Sequence, residues 1–308
     1  MTNKNFIIDE SEAGVRIDNY LSDILENVSR TKIQTLIKSN KILVNNKSCK
    51  PSYNVNTDDV ISCDLEELVA VKIKPENIEL EIVYENENFA IVNKPSGMLT
   101  HPTSTEKSGT LVNALLAKYG ENLSDINGEY RRGILHRLDR NTSGLLIIAK
   151  NNDAHTKLAD MIKNREIEKR YLTVVRGVLK ENLVINEPIA RNKSQPNKMT
   201  VAPDGKPSLT EVDIIERFDD ATYVDVNLKT GRTHQIRVHL SHIGHPVFND
   251  TMYGFGKVKI KTEEQVLQSY KLKFINPFDN QLIDIQIEPD EKLTKVLQYL
   301  RAKSLNKK

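Results

Sequence analysis

The chain has 308 residues, 28% charged and 38% hydrophobic, and 44 Lys and Arg against 42 Asp and Glu leave a formal net charge of +2. That length suggests two domains of ordinary size, and the composition excludes both a low-hydrophobicity disordered chain and a membrane protein. A nearly cancelled charge argues neither for nor against a polyanionic partner.

The first residues, Met1 to Gly14, turn acidic at Asp9, Glu10 and Glu12, unlike a secretory signal. The densest apolar run, Leu145 to Ala149, is far too short to span a bilayer. Cys49 and Cys63 have no CxxC pattern and no nearby His, so they read as two buried thiols in a reducing compartment. A cytoplasmic protein without a membrane anchor is expected.

Charge is unevenly distributed. Residues 13–50 hold seven cations and three acids, a local charge of +4, whereas residues 51–70 hold five acids and no cation. Within the basic stretch Ile17, Leu21, Ile24 and Val28 recur at helical spacing, and Ser29 is placed to cap a second helix carrying Ile33, Leu36 and Ile37. Arg30, Gln34, Lys38 and Lys41 would run beside that apolar stripe, a pattern that a solvated helix face also produces. Lys41 to Val44, the Asn45-Asn46 turn and Val60 to Cys63 suggest short strands. The stretch from Val69 to Asn77 then reads as a linker.

GVRIDNYL and SRTKIQTLIKSNKILVNNK, within residues 14–48, resemble the alpha-L RNA-binding motif. The resemblance implies that Arg30, Lys32 and Lys38 face RNA phosphates, where cations supply salt-dependent affinity.

Beyond about Ile78, strand-like runs at Phe89 to Val92, Leu145 to Ala149, Tyr171 to Val175 and Tyr223 to Leu228 outnumber helix-like ones. Ala114 to Tyr119 and Asp153 to Asn164 read as helices, the second with Asp153 as N-cap and Leu158 and Ile162 inward. This favours an α+β fold with a mixed, largely antiparallel sheet. The tail from Arg301 is expected to fray.

Two polar clusters stand out. RRGILHRLDRNTS, residues 131–143, places Asp139 as the sole acid among arginines, just before an apolar strand. Such a carboxylate is either a turn cap paired with its neighbour or an anionic catalyst in a site built for polyanions. KTGRTHQIRVHLSHIGHP, residues 229–246, has three cations, no acid and four of the seven histidines. Thr233 would cap a helix that ends at Gly244 and Pro246 and buries Ile236, Leu240 and Ile243, with His234, Arg237 and Ser241 on another face. The histidines do not share a face and lack a completing ligand, so no metal is expected.

HRLDRNTSGLLIIAK, preceded by NKPSGMLTHP and followed by EKRYLTVVRG and LKTGRTHQIRVHLSHIGHPVFND, resembles the RluA-type family of RNA pseudouridine synthases, with all four motifs in the family's order. The resemblance implies a pseudouridine synthase domain over 78–297 behind an RNA-binding module over 13–74. It implies catalytic Asp139, an Arg237 ion-pair partner, Tyr171 against the uracil, and Arg137 inserted where the target base was. Arg232 and His234 are then further RNA contacts.

The implied reaction, isomerisation of uridine to pseudouridine, needs no redox cofactor or nucleotide. Neither GxGxxG after a strand nor GxxxxGK[ST] occurs, and no cofactor is expected. A guanidinium can grip both carboxylate oxygens of an aspartate, which a lysine does less well. A hydrolase of the same bond would usually need a second carboxylate; neither cluster has one, although Glu166 and Glu168 could approach in space. Large-subunit ribosomal RNA is the expected substrate and a monomer the expected state. The alternatives are a tRNA-directed synthase and an RNA-binding assembly factor with the same fold.

Overall fold

The computed structural model describes residues 3–10, 12–25, 28, 30–64, 73–103, 105–195, 197–254 and 264–305. They form two compact units, Met1–Lys72 and Ile73–Lys308.

In the first unit, strand β1 (Asn3–Ile7) precedes helices α1 (Ile17–Ile24) and α2 (Arg30–Lys38) and strands β2 (Ile42–Val44) and β3 (Val60–Asp64). The strands pair antiparallel in the order β1-β3-β2. The predicted apolar stripes meet in one core: Ile17 and Leu21 from α1 with Ile33, Leu36 and Ile37 from α2, against Ile42, Val44 and Ile61. Asn45 and Asn46 both take positive φ, 50° and 60°, as the predicted turn requires. Strand β1 was not expected, because only Phe6 and Ile7 mark it in sequence; β3 recruits it through pairing, with Phe6 opposite Ile61. Ser29, the expected cap of α2, lies outside the described residues. Cys63 is buried, whereas Cys49 is only half-buried.

The second unit is one nine-stranded sheet. Its strands are β4 (Glu81–Glu85), β5 (Phe89–Lys94), β6 (Ser143–Ala149), β7 (Glu168–Arg176), β8 (Leu183–Asn186), β11 (Leu209–Arg217), β12 (Ala221–Leu228), β13 (Leu267–Ile275) and β14 (Leu282–Gln286). They run in the order β4-β5-β6-β13-β7-β12-β11-β8, with β14 on β13, and β9 (Ile189–Arg191) and β10 (Met199–Val201) form a separate ribbon. Among the described residues only the β6–β13 pair is parallel. That close parallel approach depends on Gly144, whose φ is +112° and where a Cβ would lie 2.0 Å from the Ser269 carbonyl oxygen.

Alternation sends side chains to both faces, and both faces are covered. Ala90, Val92, Leu146 and Ile148 meet α3 (Leu111–Tyr119), while Tyr171 and Val226 lie in the same cluster as Ile236 and Leu240 of α5 (Gln235–His242). On the other face Phe89, Ile91, Leu145 and Ile147 meet α4 (Asn152–Asn164), and Leu172 and Val174 meet α6 (Glu291–Leu305). β6 is therefore buried along its whole length, and apolar from Leu145 to Ala149 rather than alternating.

Several predicted caps differ. Asn151, not Asp153, caps α4, accepting from the Ala154 N–H, while Asp153 pairs with Lys157 one turn on. Helix α3 begins three residues earlier than expected, because Thr110 and Asn113 form a reciprocal capping box. Helix α5 is entered through His234 in the left-handed conformation rather than through a Thr233 cap. The tail stays helical through Arg301 and Lys303 to Leu305, because Leu293, Val296, Leu297 and Leu300 bury one face of α6. Among the described residues no helix is long and apolar enough to cross a membrane.

Candidate active site

Asp139 sits on the loop that leads into β6, and the 94–100 segment holds that loop by its backbone. Thr100 donates to the Leu138 carbonyl at 2.9 Å, and the Gly97 N–H donates to the Arg140 carbonyl at 2.9 Å. Lys94, fully buried, donates to the carbonyls of Pro95 and Met98 at 2.8 Å and of Arg140 at 3.0 Å. Burial draws the Lys94 ammonium down to about 7, opposed by the nearby charge of Asp139. The NKPSG and HRLD segments, 39 or more residues apart in sequence, are one structural device.

Arg237 of α5 reaches Asp139 from the other side, Nη1 donating to Oδ2 at 2.9 Å. The expectation of a fork on both oxygens of Asp139 is overturned. Nε and Nη2 of Arg237 instead hold Asp250, at 2.6 and 2.9 Å. The Asp250 carboxylate is fully buried and also accepts from the Met252 and Tyr253 N–H groups. Burial works against both charges, but each holds the other ionised: Asp250 lies below the usual carboxylate range and Arg237 above its ordinary value. A second acid therefore does enter the site, with its hydrogen-bonding capacity committed to Arg237 and the 252–253 backbone. Glu168, one of the two acids that could have approached in space, pairs with Arg170.

His234 brings Nε2 to 3.8 Å from Asp139 Oδ1, and its Nδ1 lies 2.7 Å from the Tyr253 hydroxyl. Burial, more than the opposing pull of Asp139, lowers the tendency of its imidazole to protonate. The Arg237 guanidinium lies over the Tyr253 ring, 5.0 Å from its centroid. Two of the other cluster histidines serve elsewhere: His239 contacts Thr210 and the Glu187 carbonyl, and His245 the Arg176 carbonyl.

Tyr171 on β7 borders the same space and is 4% exposed. Burial, relieved in part by a hydrogen bond with Ser269, pushes its phenol up, so it stays protonated at neutral pH. Beside it opens a cavity of about 420 Å³ whose lining, among the described residues, includes Asp139 as its only acid and six cations: Arg137, Lys163, Arg165, Lys169, Lys229 and Arg232. Arg137 is exposed, with no ion pair among the described residues. Arg232 is also exposed and donates from Nε to the Pro207 carbonyl at 3.3 Å. Lys169, two residues from Tyr171 and hence on the same strand face, is 7% exposed, and burial lowers its affinity for a proton.

Sequence reasoning missed Asp250, Tyr253 and the cations at Lys163, Arg165 and Lys169. Asp250 closes the fourth motif and was the one carboxylate in it. Arg165 ends α4 in the left-handed conformation, which no sequence signal indicated.

In the first unit, α2 ends at Lys38, so Lys41 does not belong to its cationic face. Arg30 and Gln34 turn toward Asp18 of α1, Arg30 donating at 3.1 and 3.0 Å and Gln34 at 2.7 Å, with Arg16 on the same carboxylate. Lys32 and Lys38 are exposed.

The family model for RNA pseudouridylate synthase matches residues 88–242, and that for the S4 domain matches residues 15–61. The chain belongs to the RNA pseudouridylate synthase family. It is 37% identical over 293 residues to the uncharacterized RNA pseudouridine synthase YlyB of Bacillus subtilis (strain 168), covering 95% of this chain and 96% of that one. It is 33% identical over 308 residues to the ribosomal large subunit pseudouridine synthase D of Escherichia coli (strain K12), covering 96% and 93%. Among solved structures, human RNA pseudouridylate synthase domain containing 1 superposes with a TM-score of 0.57 at 27% identity, covering 74% of this chain and 96% of that one. The protein is thus an RNA pseudouridine synthase, an isomerase with an N-terminal S4 RNA-binding domain.

Proposed function

We propose that this synthase isomerises uridines of ribosomal RNA, of the large subunit by analogy with the D-type relative, and that Asp139 is the group that acts at C1′. The observation carrying this reading is the sole acid, among the described residues, of a cavity lined by six cations, ion-paired to Arg237 at 2.9 Å and bordered by the buried ring of Tyr171.

The reaction breaks the N1–C1′ bond and joins C5 to C1′; N1 gains a proton and C5 loses one, so no redox partner is required. Asp139 assists departure of uracil, either by forming an ester at C1′ that C5 later displaces or by stabilising a cationic or eliminated sugar. Arg237, fixed by Asp250, orients the carboxylate. Tyr171 offers a face for the unstacked uracil, and its raised phenol makes it a hydrogen-bonding group rather than the base for the C5 proton. Arg137, without an ion pair among the described residues, fills the gap left by the flipped base. Arg232 and His234 contact the RNA beside it. Arg30, Lys32 and Lys38 of the first unit meet phosphates. The module extends over 13–74 and the catalytic domain over 78–297, in a monomer acting in the cytoplasm.

Mapping pseudouridines in total RNA from cells with and without the gene tests this. The expected result is loss of specific ribosomal sites that return with the wild type and not with Asp139→Asn. Loss of transfer RNA sites instead would favour the tRNA-directed reading. Restoration by Asp139→Asn would end the catalytic assignment and favour an assembly factor.

A further inference from the structure

The two oxygens of Asp139 are not equivalent. Oδ2 accepts from Arg237, whereas Oδ1 faces His234 Nε2 across 3.8 Å, too far for a hydrogen bond between them. What occupies that gap depends on which imidazole nitrogen carries the proton.

The hydrogen bonds of the Tyr253 hydroxyl favour one tautomer. Its oxygen accepts from the Met199 N–H at 2.8 Å and lies 2.7 Å from His234 Nδ1. If the phenol donates to Nδ1, all three groups are satisfied. If Nδ1 carried the proton, it would donate to the phenol, whose own proton has no other acceptor among the described residues. A neutral His234 is therefore protonated at Nε2, which also turns an N–H toward the Asp139 carboxylate. The backbone cooperates: His234 is left-handed, at φ 56°, a conformation uncommon outside glycine. Gln235 fixes this corner by accepting from the Arg232 N–H and the Thr230 hydroxyl.

A donor and an acceptor 3.8 Å apart can both bond one oxygen only if it accepts from the first and donates to the second. A hydroxyl meets that condition; a carbonyl, ether or phosphate oxygen does not. In a β-ribonucleoside the 2′-hydroxyl lies on the sugar face opposite the base, on the carbon next to C1′. A carboxylate approaching C1′ opposite the departing uracil meets that hydroxyl first.

We propose that His234 Nε2 and Asp139 Oδ1 together recognise the 2′-hydroxyl of the target uridine, with Tyr253 as the positioning residue that holds the imidazole in the required tautomer. This rests on the reading of Asp139 as the group at C1′. It makes the site a ribose reader at the reacting nucleotide, separate from any contact to neighbouring phosphates.

The test uses the full-length enzyme and an RNA oligonucleotide spanning a uridine that it converts, with either uridine or 2′-deoxyuridine at that one position. Single-turnover rates on the two give a ribose discrimination ratio. The wild type is expected to prefer uridine about 100-fold or more, as sites built to bond a hydroxyl do. His234→Ala should bring the ratio down at least about tenfold. His234→Gln, whose amide N–H can stand in for Nε2–H, should retain most of it, and Tyr253→Phe should fall between. Should His234→Ala turn over too slowly, the ratio of affinities for the two oligonucleotides, read by competition, carries the same comparison. A wild-type ratio near one, or an equal ratio in wild type and His234→Ala, overturns the proposal. The role of Asp139 is judged separately, by whether Asp139→Asn still converts the all-ribose oligonucleotide.

Discussion

Arg237 sets Nε and Nη2 on the two oxygens of Asp250, at 2.6 and 2.9 Å, which leaves Nη1 for Asp139 at 2.9 Å. The planar fork is thus spent on a buried anchor, and the proposed catalytic carboxylate receives one bond from a guanidinium that cannot rotate. Asp139 gains an orienting charge without losing its second oxygen.

Arg237→Lys keeps a cation but cannot hold both carboxylates, so activity should fall sharply. Asp250→Asn leaves Asp139 unchanged, yet it should also lower activity, and it should destabilise the fold by on the order of 3 kcal/mol, because a buried guanidinium loses the counter-charge held in its fork and keeps only Asp139. Denaturant unfolding and single-turnover rates measured together check this. A fully active, fully stable Asp250→Asn would show that the anchor is dispensable.

Arg137 has a different character, being exposed and without an ion pair among the described residues. If it replaces the flipped base, Arg137→Ala should cost more on a structured RNA, where opening a stack is required, than on a flexible strand. Equal losses on the two would reduce it to another phosphate contact. Comparing rates on a hairpin and on its unstructured scramble around the same uridine makes the measurement.

Much of this architecture was legible because local pattern and tertiary role coincide. β6 is readable from Leu145 to Ala149 since both of its faces are covered, and α2 from Ile33, Leu36 and Ile37 since they share a core. The Asp139–Arg237 contact joins residues 98 positions apart and came only through family resemblance. Asp250 stayed invisible for a physical reason: one aspartate in a sequence says nothing of its burial, and only the folded corner after α5 brings it under the guanidinium. Strands β1 and β13 depend on partners distant in sequence, and the left-handed His234 and Arg165 on contacts no local pattern encodes.

The cations of α2 should separate into two classes. Lys32 and Lys38 are exposed, so replacing each by Ala should reduce the slope of log affinity against log salt by about 0.7 to 0.9. Arg30 is shared with Asp18, and Arg30→Ala should lower stability as well as affinity. Filter binding at several salt concentrations, alongside unfolding curves, distinguishes them; an unchanged slope in Lys32→Ala/Lys38→Ala would mean this face does not meet RNA.

Asp18 gives the first unit an acid sensitivity. Its fully buried side chain accepts from Arg16, Arg30 and Gln34, and the Arg16 hydrogen bond chief among these holds the carboxyl well below the usual range. A carboxyl with a depressed folded-state pKa stabilises fully above its unfolded value of 3.8, and that contribution is lost as pH falls below it. Asp18→Asn removes this charge at every pH. The stability difference between wild type and Asp18→Asn should therefore be largest near neutrality and shrink as pH drops below about 4. Hydrogen exchange of the α1 and α2 amides, expressed as protection over intrinsic rates, isolates this unit from the rest of the chain. Asp59, also held below its ordinary value, is present in both proteins and cancels in the difference. A gap that stays constant from neutral pH down to 3 would mean that packing of the side chain, and not its charge, carries the effect.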